Sequence, residues 1–390
     1  MIHEGMEPIP DALARLGLEK TVTVLAVRSG YPAPKYVQPV LVRRDGRTCL
    51  FETSAGNDES VRETEAALAA VGVSRLDAIL CTHTHGDHAG AAEFLSRLGR
   101  EQGGRAPVYL HSSGHRLITS PALAFLDESF DIMVVRSHRS TTRFDELYGE
   151  DLLPKQLRTP WLDRYRRIPR SALRFVDRGA LPAGILALHV PGHASDCVVY
   201  LDEATGVAVP GDTILTGGVP GDTSSYRFVV PPLTVIDSKY SRAVEAYLVS
   251  LGRLRRFFET HDVRVIVPPH GRLAVVEPLA WWRGVVEYFE AIYEGFVTKV
   301  LDDPGLASDF AIVDVGARIE HPRAEPMSTS SHLYGLACLL VEEGVLDAVE
   351  DPRTRRIRFR RVGDPAPDFV RSIVEEDRSP LAVLRGTDLS

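Results

Sequence analysis

Thr82-His83-Thr84-His85-Gly86-Asp87-His88 gathers three histidines and one aspartate within six residues, directly after an apolar run at 73–81. Neutral imidazole nitrogen and carboxylate oxygen are both donors for a borderline divalent ion such as zinc, with bonds of about 2.0–2.2 Å. Helical zinc sites space their histidines at i and i+4. Here His83 and His85 stand at i and i+2, which an extended or looped backbone points to one side. Asp87 and His88 follow at once and can serve a second, adjacent ion. The spacing predicts a metal centre where a strand ends, rather than a polar loop rich in histidine by composition.

Three later motifs share that arrangement. Pro191-Gly192-His193-Ala194-Ser195-Asp196 follows an apolar run at 185–190, Pro210-Gly211-Asp212-Thr213 follows 206–209, and Pro269-His270-Gly271 follows 263–267. Each is a buried β run, a proline or glycine turn, and then a metal-competent side chain. Loops at the ends of a rigid sheet are where preorganised sites are built. Asp212 has a rival, because Pro220-Gly221-Asp222-Thr223 repeats its tetrapeptide. Asp212 follows a β run and Asp222 a glycine-rich turn, so Asp212 is the expected ligand and Asp222 loop structure or a substrate contact.

These motifs need a scaffold of alternating elements. Strands are predicted at 21–27, 40–43 and 48–52, the last two joined by Asp45-Gly46, a hairpin signal. A helix at 59–71, the strand to residue 81, a helix at 91–98 and a strand at 107–110 follow. Such alternation indicates a mixed α/β domain. Residues 113–173 break it with an aromatic, arginine-rich stretch, either a lid-like insertion or a packing elaboration. Strands at 174–176, 185–190, 197–201 and 206–209 lead to an amphipathic helix at 240–260, the strand 263–267 and helices within 279–301. A serine-capped helix at 328–344, closed by glycine, and two short strands at 345–349 and 355–361 make a helix-plus-wing pattern. The expected division is an N-terminal segment at 1–20, a main domain at 21–275, a helical connector at 276–325 and a small unit at 326–390.

The 390 residues carry a formal charge of −8, which gives no overall attraction for nucleic acid or anionic membrane. Lysine occurs only at positions 20, 35, 155, 239 and 299 among 45 basic residues, so arginine-rich segments reflect a chain-wide bias. Cys49, Cys81, Cys197 and Cys338 are scattered among apolar neighbours without a C-x-x-C pair, as expected of reduced thiols in a cytoplasmic protein. The acidic N-terminus lacks the apolar core of a signal peptide, and no stretch approaches the roughly 18 apolar residues of a membrane helix.

In type and order the four motifs resemble the metallo-β-lactamase fold superfamily, whose pattern is H-x-H-x-D-H, a single histidine, a bridging aspartate and a last histidine. The resemblance implies an αββα sandwich with the site along one edge of the two sheets. Carried over by position, it implies that His83, His85 and His193 hold a first metal, that Asp87, His88 and His270 hold a second, and that Asp212 bridges them. An aspartate at the bridging position, where class B lactamases commonly differ, makes the chain more similar to the glyoxalase II and nuclease branches. The D-T-G sequence common in the family is here Glu52-Thr53-Ser54-Ala55-Gly56. Glu52 is therefore expected to take over a structural support role with a longer arm.

The implied chemistry is attack by a hydroxide shared between two divalent ions. Zinc is the default, and iron or manganese is compatible with the same donors. Asp87 is the expected catalytic residue, orienting the nucleophile or accepting its proton. The helix-plus-wing resembles a winged-helix-like domain appended to some members, including nuclease-like proteins and thioesterases acting on acyl carrier proteins. The expected function is a dinuclear hydrolase of thioesters or esters, on a small-molecule or carrier-bound acyl substrate such as an acyl-coenzyme A. The alternatives are a phosphodiesterase or nuclease, served by Arg356, Arg358 and Arg360, and an iron-dependent oxidative or non-hydrolytic enzyme. His111, His115, Asp222 and Tyr226 are expected substrate contacts. His138 and His261 are expected to be surface or core, and His189 structural.

Overall fold

Alternate residues of nearly every central strand are apolar on both faces, so each strand must be covered twice. The computed structural model describes residues 5–30, 36–99, 104–119, 165–179, 181–216, 243–303, 309–315, 319, 326–353, 356–376 and 383–385. The chain opens with β1 (Met6–Pro8) and continues through β2 (Val22–Val24), β3 (Val27–Arg28), β4 (Tyr36–Val37), β5 (Val40–Arg44), β6 (Arg47–Phe51), β7 (Ala78–Leu80), β8 (Val108–Leu110) and β9 (Leu173–Phe175). The second half carries β10 (Ile185–His189), β11 (Val198–Asp202), β12 (Val207–Val209), β13 (Val265–Ile266), β14 (Leu273–Val275), β15 (Leu346–Glu350), β16 (Ile357–Arg361) and β17 (Val383–Arg385).

Two large sheets result among the described residues. One has six strands in the order β2-β5-β6-β7-β8-β9; the other has seven in the order β1-β14-β13-β12-β11-β10-β17. β5 and β6 form the hairpin predicted at Asp45-Gly46, in a register that pairs Arg44 with Arg47. β6 to β9 run parallel, as do β12 and β13.

The helices are α1 (Ile9–Arg15), α2 (Asp58–Ala70), α3 (Gly86–Ala89), α4 (Ala92–Ser96), α5 (His115–Thr119), α6 (Ala243–Thr260), α7 (Pro278–Phe296), α8 (Ile312–Val315), α9 (Pro326–Glu342) and α10 (Phe369–Glu376). Period-two alternation divides the strand residues between layers. Val40, Val42, Phe51 and Leu80 of the first sheet meet Ala187, Val198, Tyr200 and Val209 of the second in the inter-sheet core. The intervening residues Leu41, Leu50 and Ile79 point outward against Val61 and Leu68 of α2 and Leu95 of α4. Leu186, Val199, Ala208 and Ile266 point the other way, onto α6, α7, α9 and α10. The order of layers is helix, sheet, sheet, helix.

The structure differs from the sequence expectation in several places. Within 73–81 only Ala78–Leu80 is strand. Val73 closes the exit of α2, its N–H donating to Leu68 O, and Leu76 donates to Leu98 O instead of joining β6. Residues 1–20 contribute β1 and α1, and β1 is an edge strand of the second sheet beside β14. α9 and the β15–β16 hairpin follow the expected helix and two strands, but a further helix, α10, and a strand, β17, which pairs with β10, come after them. Residues of α9, β16 and α10 share one apolar cluster with α6 and α7. Most of the 113–173 stretch, with His138, lies outside the described residues, as do Asp222 and Tyr226.

Candidate metal centre

β7 ends at Leu80, and Cys81 and Thr82 carry the chain to the interface of the two sheets. Val198 N–H of β11 donates to Thr82 O at 2.8 Å, which fixes the exit of β7 against the second sheet. His83 follows in a loop, and α3 then brings Asp87 and His88 back over it. β12 delivers Asp212 through Pro210-Gly211. Gly211 has φ +55°, and a Cβ there would overlap the Thr82 hydroxyl. Only glycine satisfies both the left-handed backbone and that close approach. β13, parallel to β12, delivers His270. The loop holding it is tied to the segment joining β4 to β5, since Gln38 N–H donates to Pro269 O at 2.8 Å. β10 delivers His193.

All seven side chains converge. His85 Nδ1 lies 3.0 Å from both His83 Nε2 and His193 Nε2. Two nitrogens on one tetrahedral ion with bonds of about 2.0–2.1 Å stand about 3.3 Å apart, so this trio has the dimensions of a single coordination shell. His270 Nε2 lies 3.4 Å from His88 Nε2 and 3.3 Å from Asp87 Oδ2, which makes a second cluster. Asp212 reaches both: Oδ2 is 3.3 Å from His193 Nε2, while Oδ1 is 3.4 Å from His88 Nε2 and from His270 Nε2. Asp212 Oδ1 is buried without a hydrogen-bond partner. A buried, orphaned carboxylate oxygen facing imidazole nitrogens is costly unless a cation completes it. The donor set thus fits two divalent ions.

The partners behind the donors orient them. His270 Nδ1 lies 2.8 Å from the Tyr36 carbonyl, to which its N–H donates, leaving Nε2 to face Asp87 and Asp212. His88 turns Nδ1 toward Glu52 Oε2 at 3.4 Å and Nε2 toward the second cluster. Thr82 donates its hydroxyl proton to the other oxygen, Glu52 Oε1. Glu52 is fully buried and has φ +65°, a strained backbone of the kind that persists where its surroundings impose it. Such backing carboxylates and carbonyls fix ring orientation and raise ligand basicity.

The electrostatics differ between the clusters. Burial, reinforced by neighbouring imidazoles, holds His83 well below the ordinary histidine range and His85 down at about 3. Both are neutral at pH 7, with lone pairs to offer. Burial also disfavours charge on His88 and His270, yet the carboxylates outweigh it and raise both. Asp87 and Asp212 are held low despite burial, chiefly by His88. The second cluster therefore attracts positive charge.

The remaining histidines lie elsewhere. His111 stacks on His189 with ring centroids 3.9 Å apart. His115 is exposed, its Nδ1 2.7 Å from Ser112 O. His261 caps the end of α6 against Phe257. Sequence reasoning missed Tyr36, whose contribution is a backbone carbonyl, and the α6 residues Tyr247 and Ser250. Tyr247 donates to Thr213 O at 3.1 Å and Ser250 to Pro191 O at 2.7 Å, so α6 grips the Asp212 and His193 loops together. A polar Ser250 on the apolar face of a helix was the available signal.

A family model described as the metallo-beta-lactamase superfamily matches residues 33–270. The curated protein "Probable metallo-hydrolase YqjP" of Bacillus subtilis (strain 168) is 24% identical over 285 residues, spanning 68% of this chain and 76% of that protein. A metallo-beta-lactamase family protein from Thermus thermophilus superposes with a TM-score of 0.59 at 21% identity, over 88% of this chain and 99% of its own. A beta-lactamase domain protein from Burkholderia ambifaria gives 0.58 at 17% identity, over 88% and 92%. At these identities the two structures speak for the fold. Among the described residues, no helix is long and apolar enough to cross a membrane.

Proposed function

This chain belongs to the metallo-beta-lactamase superfamily, and from that premise we propose that it is a dinuclear metallo-hydrolase of thioesters or esters. The observation that carries the reading is Asp212, whose two oxygens face two separate histidine clusters at 3.3–3.4 Å. His83, His85 and His193 would hold one ion and Asp87, His88 and His270 the other, with Asp212 facing both clusters. Two divalent ions, zinc by default, supply when bound a water acidic enough to attack at neutral pH and positive charge for the developing oxyanion. The protein's part is to bring the donors together on rigid strand ends, keep His83 and His85 unprotonated, and hold Asp87 ionised. Asp87 then orients the attacking water and accepts its proton.

An acyl substrate fits better than a nucleic acid. The arginines of the β15–β16 hairpin are engaged with the chain's own oxygens: Arg360 with Asp347 at 3.0 Å, Arg361 with Asp302 at 2.6 Å, and Arg358 with the Asp309 carbonyl at 2.5 Å. A phosphate would have to compete with these partners for the same guanidinium groups. We read the chain as nearest the glyoxalase II and thioesterase branch, with the helix and hairpin as a winged-helix-like buttress. The four cysteines are free thiols, which suits a reducing cytoplasm.

The test is a panel of acyl-coenzyme A, acyl-glutathione and bis-nitrophenyl phosphate substrates on metal-analysed protein. Thioester cleavage with two zinc ions per chain is expected. Phosphodiester cleavage alone, or two irons with an oxygen-dependent product, would replace the reading. Asp212→Ala is expected to lower kcat/KM at least about 100-fold, equal to about 2.7 kcal/mol of transition-state stabilisation. Asp222→Ala is expected to leave metal content intact; loss of metal in that variant alone would move the bridging role to Asp222.

A further inference from the structure

The turn after β8 links the metal-bearing loops of both sheets. His111 and His189 end strands of opposite sheets, yet their rings stack face to face, 3.9 Å between centroids and 8° from parallel. His189 Nε2–H donates to the Ser195 carbonyl at 2.7 Å. The Ser113 hydroxyl stands between the two groups, 3.2 Å from that carbonyl and 2.8 Å from His111 Nδ1. Ser195 is two residues beyond His193. From the far side, Asp177 anchors the turn by accepting from Ser112 N–H at 2.9 Å and from its hydroxyl at 2.6 Å.

The turn also touches the first metal motif. A Cβ on Gly114 would overlap the Asp196 carboxylate and come within 2.7 Å of Thr84 Cγ2. Thr84 separates His83 from His85, and Asp196 follows Ser195. One short turn is thus wedged between the loops that carry all three donors of the first cluster. Among the described residues, neither ring belongs to the donor groups of the metal centre.

We propose that the His111–His189 stack is a positioning clasp that sets the placement of His193, through the Ser195 carbonyl, relative to His83 and His85. His189 and His111 are positioning residues, since neither touches the reacting atoms. Burial, with His111 and Arg253 of α6 adding and the Ser195 hydrogen bond and Asp177 opposing, holds His189 down at about 4. The neutral ring carries its proton on Nε2, because the Ser195 carbonyl can only accept. Burial likewise lowers His111, opposed by Asp177. Two neutral rings can stack where two imidazolium ions would repel.

The clasp rests on the metal reading of the site, and the experiment separates the two. Cobalt(II) is titrated into metal-stripped protein, following stoichiometry and the visible absorption of the bound ion, with thermal melting in parallel. His83→Ala, which removes a donor, sets the signature of a damaged first site. His189→Leu is expected to weaken one of the two ions by about tenfold or more and to alter its absorption without a large change in melting. His189→Gln, whose amide N–H can still reach Ser195, is expected to recover most of that affinity. Parental binding in His189→Leu, beside a lost ion in His83→Ala, overturns the clasp and leaves the metal site standing. No loss in His83→Ala overturns both. Should His189→Leu fail to fold, the same titration on the double variant His111→Ala with Ser113→Ala, which removes the stacking ring and the hydroxyl, decides: parental affinity there overturns the clasp.

Discussion

His88 and His270 each depend on an atom behind the ring, and Glu52 is the clearer case. Its side chain is fully buried, accepts the Thr82 proton on one oxygen and holds the other 3.4 Å from His88 Nδ1. A carboxylate there keeps the His88 ring turned so that Nε2 faces Asp212, and it raises the ring's basicity against burial. Glu52→Gln retains an acceptor for Thr82 and removes only the charge. The second ion is expected to bind about 10–100-fold more weakly, in line with losses of carboxylates behind metal-ligating histidines. Competition titration against a chromophoric chelator measures this. Unchanged affinity for both ions would remove Glu52 from the support of the site. His270 has an analogous support in the Tyr36 carbonyl, which no side-chain substitution at that position deletes.

Among the elements, the strand-end turns do the positioning, and Gly211 is one of their tight points. It lies between β12 and Asp212, at φ +55°, with Thr82 of the other sheet filling the space a Cβ would need. Gly211→Ala is expected to cost about 1–3 kcal/mol from the left-handed backbone alone. It also displaces Thr82 from Glu52, so metal affinity should fall together with the melting temperature. A stable variant with parental metal binding would show that the turn relaxes freely. Such turns were legible in the sequence, because His193, Asp212 and His270 each follow a buried β run and a proline or glycine. The hairpin at Asp45-Gly46 was legible for the same local reason. What stayed hidden depends on distant partners. β1 is three residues long and is held by pairing Met6 with Val275. β17 exists by pairing Leu384 with Ala187. The apolar run at 73–81 reads as one long strand, yet Val73 and Leu76 are apolar because they are buried beside α2 and α4, and only Ala78–Leu80 lies beside β6. Glu52 was visible as a departure from D-T-G, but its reach to His88 was not.

Across the whole molecule, the C-terminal helices are bound to the metal centre through α6. That helix grips the Thr213 and Pro191 carbonyls with Tyr247 and Ser250. On its other side α9 and α10 approach so closely that a Cβ on Gly335 would overlap Val244, and one on Gly252 would overlap the Val374 carbonyl. Phe359 of β16 is fully buried in the same cluster and its backbone exchanges two hydrogen bonds with Phe310, at 2.8 and 2.9 Å. Phe359→Ala should therefore act as a core truncation of the entire protein, costing about 3–5 kcal/mol. Buried apolar contacts shared between segments make their unfolding cooperative. Calorimetry is expected to show one transition moved to lower temperature, with metal release coinciding with it. A two-step melt, in which residues C-terminal to α8 unfold first while both ions stay bound, would mean that the terminal helices fold as a separate unit and that α6 holds the Asp212 and His193 loops without them.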